Sequence, residues 1–274
     1  MLRGAASAWA AVKTWTPGFF AVRYGDITVP CYRNLPDSMV PQAHADSSHK
    51  AISKVAEFVD RLREGERCYL HSTDLRLFPG LESEFDFGPL LQHDGNPAFV
   101  KLWFGGATRS GLHFDPRDNF FAQLFGSKRV YLVSPSDNGC TYPLPADITK
   151  SQVDPTAVSH PHHPRFEDAT VYESQLEPGD ILFIPRGWWH HICADHVSIS
   201  LNCFFGKPMA LPDLAAVVTE ASPLLWLPIL RDALWYGLAG ARSEQGLFAT
   251  PPTGKIFFDI VFNRNRVRTL VPLR

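Results

Sequence analysis

Cysteine is sparse in this chain and its spacing is unhelpful to a cross-link: five residues in 274, Cys31, Cys68, Cys140, Cys193 and Cys203, with no Cys-x-x-Cys among them. An odd number so spaced excludes a disulfide framework or a zinc ribbon as the organising device. A reducing compartment is the default, so a soluble cytoplasmic protein is expected. Net charge is nearly absent as well, with 26 Lys+Arg against 28 Asp+Glu for a formal −2. The chain as a whole therefore has no electrostatic footing on nucleic acid or on an anionic membrane. Long hydrophobic runs are missing too: the most apolar stretch, 224–238, is interrupted by Pro228, Arg231 and Asp232 and is too short to span a bilayer. No internal repeat and no low-complexity linker divides the sequence, which reads as one main domain with terminal additions. Acidic residues are lacking before Asp26, where Arg3, Lys13 and Arg23 stand among small and aromatic residues. That is the composition of an organelle-targeting segment, but Trp15, Pro17, Phe19 and Phe20 favour the start of a folded domain.

What is present points to a β-rich fold. The chain is 45% hydrophobic and 12% aromatic, and its 19 Gly and 23 Pro are spread along it, which favours many turns between short strands. Brief aromatic and β-branched runs follow one another at 99–104, 119–125, 129–133, 180–184, 188–193 and 197–205. Turn signals at Gly105-Gly106, Gly126-Ser127, Pro178-Gly179 and Pro185-Arg186-Gly187 separate them, the pattern of a barrel or jelly roll. Upstream, 67–71 predicts a short strand, and 46–65 predicts a helix with Ile52, Val55, Ala56, Val59 and Leu62 on one face, Ser47 or Ser48 as N-cap and Gly65 as stop. Residues 134–175 are polar and Pro-rich and predict a long insertion over the barrel. After Pro208 the pattern turns helical at 211–218 and 224–238, the second as a core helix or a partner-facing surface. The expected organisation is flanking strands and a helix over 1–66, a barrel over 67–207, and a helical extension over 208–274.

The chemistry is concentrated in Ser110-Gly-Leu-His113-Phe-Asp115 and Ile184-Pro-Arg-Gly-Trp-Trp-His190. In a strand, residues two apart share a face, so His113 and Asp115 aim together while Phe114 packs behind. His190, at the opening of a new strand, supplies a third donor. Two imidazoles and a carboxylate make the facial triad of non-haem Fe(II) oxygenases, with positions left open for a bidentate co-substrate and O2. Lys128 lies among Val130, Tyr131, Leu132 and Val133. Buried there, it would tend to lose its charge unless an anion paired with it, and a dicarboxylate is such an anion. Ser198, Ser200 and Asn202 alternate with Val197, Ile199, Leu201 and Cys203, so one face of that strand is polar, turned either into the barrel or to solvent. His191 alternates away from His190 and reads as a supporting or surface residue. His160, His162 and His163 read as a solvated loop, and Arg264, Arg266, Arg268 and Arg274 as a solvated basic tail.

From Tyr69 to Phe205 the sequence resembles the JmjC and cupin-like 2-oxoglutarate oxygenases, most closely the asparaginyl hydroxylases of the factor-inhibiting-HIF type. The shared text is Asn119-Phe-Phe-Ala-Gln, Gly126-Ser-Lys128-Arg, Leu182-Phe-Ile-Pro and Trp188-Trp-His-His-Ile192. The resemblance implies a mainly β fold, a double-stranded β-helix of the cupin type with flanking N- and C-terminal helices. It implies Fe(II) ligation by His113, Asp115 and His190, pairing of Lys128, Tyr69 and Ser110 with the distal carboxylate of 2-oxoglutarate, and a co-substrate pocket lined by Asn119 and Asn202. Ser110 stands where the family places a threonine and keeps the hydroxyl. The activity implied is hydroxylation of a protein or peptide side chain, with O2 as co-substrate and succinate as co-product. Lysine demethylation and tRNA-base hydroxylation are rivals within the same chemistry, and a non-catalytic cupin is a rival outside it. Oligomeric state stays open, the helices after Pro208 being a candidate homodimer interface as in the resembling hydroxylases. His71, Phe204 and the 134–175 insertion depart from the family's substrate-facing residues, so the substrate itself is not carried over.

Overall fold

Antiparallel strands with alternating inward and outward side chains organise the molecule, a computed structural model that describes residues 1–35, 49–91, 96–157, 161–241 and 251–262. In chain order the strands are β1 (Thr28–Tyr32), β2 (Lys50–Lys54), β3 (Tyr69–Asp74), β4 (Phe99–Gly105), β5 (Thr108–Arg109), β6 (His113–Phe114), β7 (Asp118–Phe125) and β8 (Lys128–Val133). They continue with β9 (Val171–Leu176), β10 (Ile181–Ile184), β11 (Trp189–Ala194) and β12 (Ser198–Phe205). Seven of them form one sheet in the order β10-β7-β12-β4-β3-β1-β2. The second runs β5-β11-β8-β9, with β6 also paired to β11. The fold is a cupin-type jelly roll, as the resemblance implied.

Period-two alternation decides which residues each face receives. On β7 and β12, Phe120, Ala122, Leu124, Ile199, Leu201 and Cys203 turn outward into a core shared with three helices, α1 (Ala10–Thr14), α2 (Pro17–Tyr24) and α3 (Val55–Arg63). Trp15, Phe20, Phe58 and Phe104 are fully enclosed there, and Phe20 meets the rings of Trp15, Phe78 and Phe104 at 5.2–5.6 Å. Each such ring buried contributes about 1.5–3 kcal/mol. The opposite face turns inward, where Phe121, Leu182 and Ile184 of the large sheet meet Val130 and Leu176 of the small one.

The outer face of the small sheet is covered by the insertion and by α4 (Leu211–Ala221), α5 (Trp226–Asp232) and α6 (Thr253–Phe262). Leu112, Phe114, Val133 and Trp189 pack there with Ile148, Val153, Phe166, Leu214, Val218, Ile229 and Phe257. Among the described residues no single helix is long and apolar enough to cross a membrane; α4 and the helical run 223–238 reach that length and hydropathy only together, bent by 120°.

Three segments differ from the sequence expectation. The helix expected over 46–65 begins at Val55, because Lys50–Lys54 pairs in full register with β1, burying Ser53 and leaving Ile52 exposed. Ser47 and Ser48 lie outside the described residues. Within 134–175, β9 pairs along the whole of β8, so the end of the expected insertion is a barrel strand. As an edge strand with only Leu176 buried, it has none of the alternation that marks a half-buried strand. The expected helix over 224–238 is a 3-10 turn at Pro223–Leu225, then α5, then a π turn at Ala233–Leu238. It is mostly not core: Leu224, Leu227, Leu230, Leu234, Trp235 and Leu238 are exposed.

Candidate metal centre

Cross-strand pairing brings the three expected donors together. His190 on β11 pairs directly with His113 on β6, and their rings lie 4.2 Å apart. Asp115 follows β6 immediately, and its carbonyl accepts from the Gly187 N–H at 3.0 Å, which ties it to the turn that launches β11. One donor atom from each of His113, Asp115 and His190 lies within 4.8 Å of the others. His190 Nε2 is 3.5 Å from Asp115 Oδ2.

Both imidazoles are oriented from behind. His113 Nδ1 donates to the Gly111 carbonyl at 2.8 Å, and His190 Nδ1 donates to the Trp188 carbonyl at 3.0 Å. Each ring thereby keeps Nε2 unprotonated for a metal. Burial, with His113 alongside, holds His190 well below the ordinary histidine range, and burial pushes the Asp115 carboxyl up. A cation between them would reverse the penalty on the carboxylate.

Deeper in the barrel lies Lys128, 3% exposed. Its ammonium donates to the Ser200 hydroxyl at 2.8 Å and sits 5.2 Å from the centre of the Phe121 ring. Burial lowers its pKa to about 7. The polar face of β12 points inward: Ser198, Ser200 and Asn202 are buried, and Asn202 pairs with Phe121 of β7 and Lys101 of β4. Asn119 is wholly buried, and neither end of its amide has a partner. The same is true of Asn202 Oδ1, Ser198 Oγ and Trp103 Nε1. A buried polar atom without a partner costs about 1–3 kcal/mol. Several such atoms on one inner face, together with a buried lysine, fit a dicarboxylate.

Tyr69 shares the inner face through its pairing with Gly105, and it stacks on Trp103 at 6.2 Å. Burial raises its phenol well above the ordinary tyrosine range. A side chain at Gly105 would place a Cβ 2.3 Å from the Tyr69 ring, so the close strand approach requires glycine. The Ser110 hydroxyl accepts from the Ile192 N–H at 2.9 Å, which sets it beside β11 on the same side as His190. All eight expected residues thus stand on or beside the barrel's inner face. Ser200, on the polar strand face that the sequence leaves facing either barrel or solvent, faces the barrel, whereas Trp103 is a site neighbour that the sequence pattern does not mark.

His191 turns away, as alternation requires, but it is buried rather than at the surface, against Tyr131 at 5.7 Å. Its ring nitrogens have no partner, and burial lowers its pKa to about 4. His162 and His163 lie in the insertion, away from the triad, with His163 packed on Tyr142 at 4.8 Å. His160 and the basic tail from Arg264 lie outside the described residues.

Residues 1–210 match the model of the cupin-like domain family. This chain belongs to the cupin-like JmjC family. Within the family it is similar to lysine-specific demethylase 8 of Xenopus tropicalis, 30% identical over 212 residues, covering 74% of this chain and 46% of the relative. It is similar to Jumonji C domain-containing protein 5 of Drosophila melanogaster, 33% identical over 209 residues, 71% of this chain and 51% of that one. A third relative is human tRNA wybutosine-synthesizing protein 5, 31% identical over 187 residues, 64% of this chain and 55% of that protein. This cupin-like protein spans about half the length of the curated relatives it matches.

Proposed function

We propose that the protein is an Fe(II)- and 2-oxoglutarate-dependent oxygenase that oxidises a C–H bond of a substrate presented at the triad end of the barrel. The observation that carries this reading is the buried Lys128, bonded to a hydroxyl and to no carboxylate among the described residues, in one barrel with a His-Asp-His cluster. His113, Asp115 and His190 would hold Fe(II). Lys128 would hold the far carboxylate of 2-oxoglutarate, with Tyr69, Ser110, Asn119 and Asn202 lining its pocket. When bound, the metal and its co-substrate supply activation of O2, with conversion of 2-oxoglutarate to succinate and CO2.

The chain's own residues supply position and dryness. The carbonyls of Gly111 and Trp188 fix the tautomers of His113 and His190, so no proton has to leave Nε2 before a metal binds. The Lys128 ammonium, held against Ser200, waits for an anion in a wall of Phe121, Val130, Leu182 and Ile184 that excludes water. The buried amides of Asn119 and Asn202 give the co-substrate donors and acceptors that need no rearrangement.

The resemblance to asparaginyl hydroxylases favoured a peptide side chain as substrate. The relatives are named for lysine demethylation and for tRNA wybutosine synthesis, so a protein side chain and a tRNA base both stand as substrate classes, and the asparaginyl reaction in particular has no relative among them. The argument from a net charge of −2 against nucleic acid also weakens, since it speaks of the whole chain and not of the site. For the exposed apolar face of Leu227, Leu230, Leu234 and Leu238 we keep a second copy of the chain as the occupant. These leucines recur at helical spacing, and Arg231 and Lys255 beside them are neutralised by Asp232 and Asp259, which leaves little to attract an anionic lipid surface. A monomeric mass in solution would remove the dimer.

The oxygenase reading is tested by anaerobic binding of Fe(II) and 2-oxoglutarate, then O2 exposure with a succinate assay, and His190→Ala as control. Succinate from the wild type alone is expected; failure of both ligands to bind would overturn the reading.

A further inference from the structure

The strand ends around the triad carry more positive charge than the chain's balance suggests. Asp115 leads within three residues into β7, and β12 runs antiparallel to β7 with Phe205 opposite Asp118. The triad end of the barrel is therefore the end where β12 finishes, β4 begins and β3 finishes. On its inner face, Phe99 pairs with Phe204, and two residues deeper Lys101 pairs with Asn202. The Phe99 and Phe204 rings stack at 5.2 Å with an interplanar angle of 25°, and both are half-exposed.

Cations gather at the same end of the barrel. The Arg117 guanidinium lies 5.8 Å over the Phe99 ring and donates to the Gly206 carbonyl. Arg186 donates from its guanidinium to the Lys207 carbonyl at 2.9 Å, and Arg186 and Lys207 are both exposed. Among the described residues none of these three has a carboxylate partner. Lys101 and Arg76 share the carboxylate of Asp74, at 3.3 and 2.7 Å. Asp118 accepts from the Arg186 backbone N–H at 2.9 Å and has no ion pair among the described residues. The Gly206 and Lys207 carbonyls thus hold two guanidiniums at this end of the barrel, one of them over the Phe99 ring, without neutralising either.

We infer that the triad end of the barrel binds a single-stranded polynucleotide, with a base on the Phe99–Phe204 stack and phosphates on Arg117, Arg186 and Lys207. Aromatic platforms flanked by unpaired cations are how single strands are held, because every base has a face to stack and every linkage a charge to pair. A lysine- or arginine-bearing peptide fits the same rim poorly, since it meets like charge. The inference rests on the oxygenase reading in that it names the substrate class of that site.

The test uses the full chain and a fluorescently labelled single-stranded RNA of mixed sequence, followed by anisotropy over a salt series. With three phosphate contacts, log affinity is expected to fall with log salt at a slope of about 2. The variant R186Q/K207Q, changed only at exposed positions, is expected to raise Kd tenfold or more at low salt and to cut the slope to below about 1. Phe204→Ala is expected to weaken binding about tenfold with the slope unchanged, because stacking is not an ionic contact. Binding of 2-oxoglutarate, measured on the same variants, should stay at the wild-type value. The inference is overturned if the RNA does not bind at low salt, if R186Q/K207Q binds it like the wild type, or if an acidic peptide or the base-paired duplex binds as well as the single strand. RNA binding without any 2-oxoglutarate binding would instead sink the oxygenase reading alone.

Discussion

Lys128 donates to Ser200 Oγ at 2.8 Å inside the barrel, a buried ammonium resting on a neutral hydroxyl. Burial alone brings the lysine down to a pKa of about 7. Its ordinary value is 10.5, so between the two the unfolded chain binds a proton that the folded one does not. The folded state is therefore relatively weakened as pH falls through that window, until an anion arrives.

That anion makes affinity depend on pH in a definite direction. Above about 7 the lysine must take up a proton to pair with a carboxylate, so 2-oxoglutarate affinity is expected to fall toward tenfold per pH unit. Below about 7 it should level off. Calorimetry from pH 6 to 9 on wild type and Lys128→Met checks this. The variant should bind about 10- to 150-fold more weakly, the loss of a charged hydrogen bond, and without the slope.

Removing a ligand separates the metal from the fold. His113→Ala or Asp115→Ala is expected to abolish succinate formation and to reduce Fe(II) affinity at least tenfold, while the far-ultraviolet circular dichroism stays unchanged. Asp115 is only half-buried, and its loss leaves His113 and His190 bonded to their carbonyls. Retained 2-oxoglutarate consumption in either variant would take that residue off the ligand set.

A chain of polar contacts running from the buried Trp189 and Asn138 to the exposed Glu220 supports the start of β11 from outside. Trp189 Nε1 donates to Asn138 Oδ1 at 2.8 Å, and Asn138 Nδ2 donates to Glu220 Oε2 at 2.8 Å. Asn138→Leu would leave the buried indole N–H without a partner, at a cost of about 1–3 kcal/mol. Thermal unfolding should move down by several degrees. Metal affinity should fall with it, because His190 is the next residue.

Gly105→Ala should weaken both stability and co-substrate binding. Its Cβ would fall 2.3 Å from the Tyr69 ring and 2.6 Å from the Cys68 carbonyl oxygen, forcing β3 and β4 apart at the floor of the pocket. A variant with wild-type 2-oxoglutarate affinity would show that Tyr69 does not touch the co-substrate.

β4, β7, β8, β10, β11 and β12 were legible because each sits between turn residues and carries its own apolar run, and each falls within a residue or so of where the sequence places it. The triad was legible for the same reason, since spacing and strand period together fix which side chains share a face. Three features escaped. α2 begins at Pro17 behind a Thr16 N-cap, too soon after α1 for either to show a helical period. β9 is an edge strand that buries little. The cations of the rim come from four separate strand ends, and nothing in a linear sequence brings Arg76, Arg117, Arg186 and Lys207 near one another; the net charge conceals them by averaging over surfaces that never meet.

Lys128 opens β8 four residues before Leu132, the partner of His190, so its backbone lies about 13 Å along the strand from the triad. The small acid must therefore travel past the His-Asp-His cluster to reach its anchor, and whatever rests on Phe99 and Phe204 stands across that route. Order of addition is written into the barrel's depth. On the proposed reading, co-substrate would enter first, the large partner would then cover it, and succinate would leave only after the partner has let go. A kinetic signature follows: saturating the large partner first should inhibit, and excess 2-oxoglutarate should relieve it.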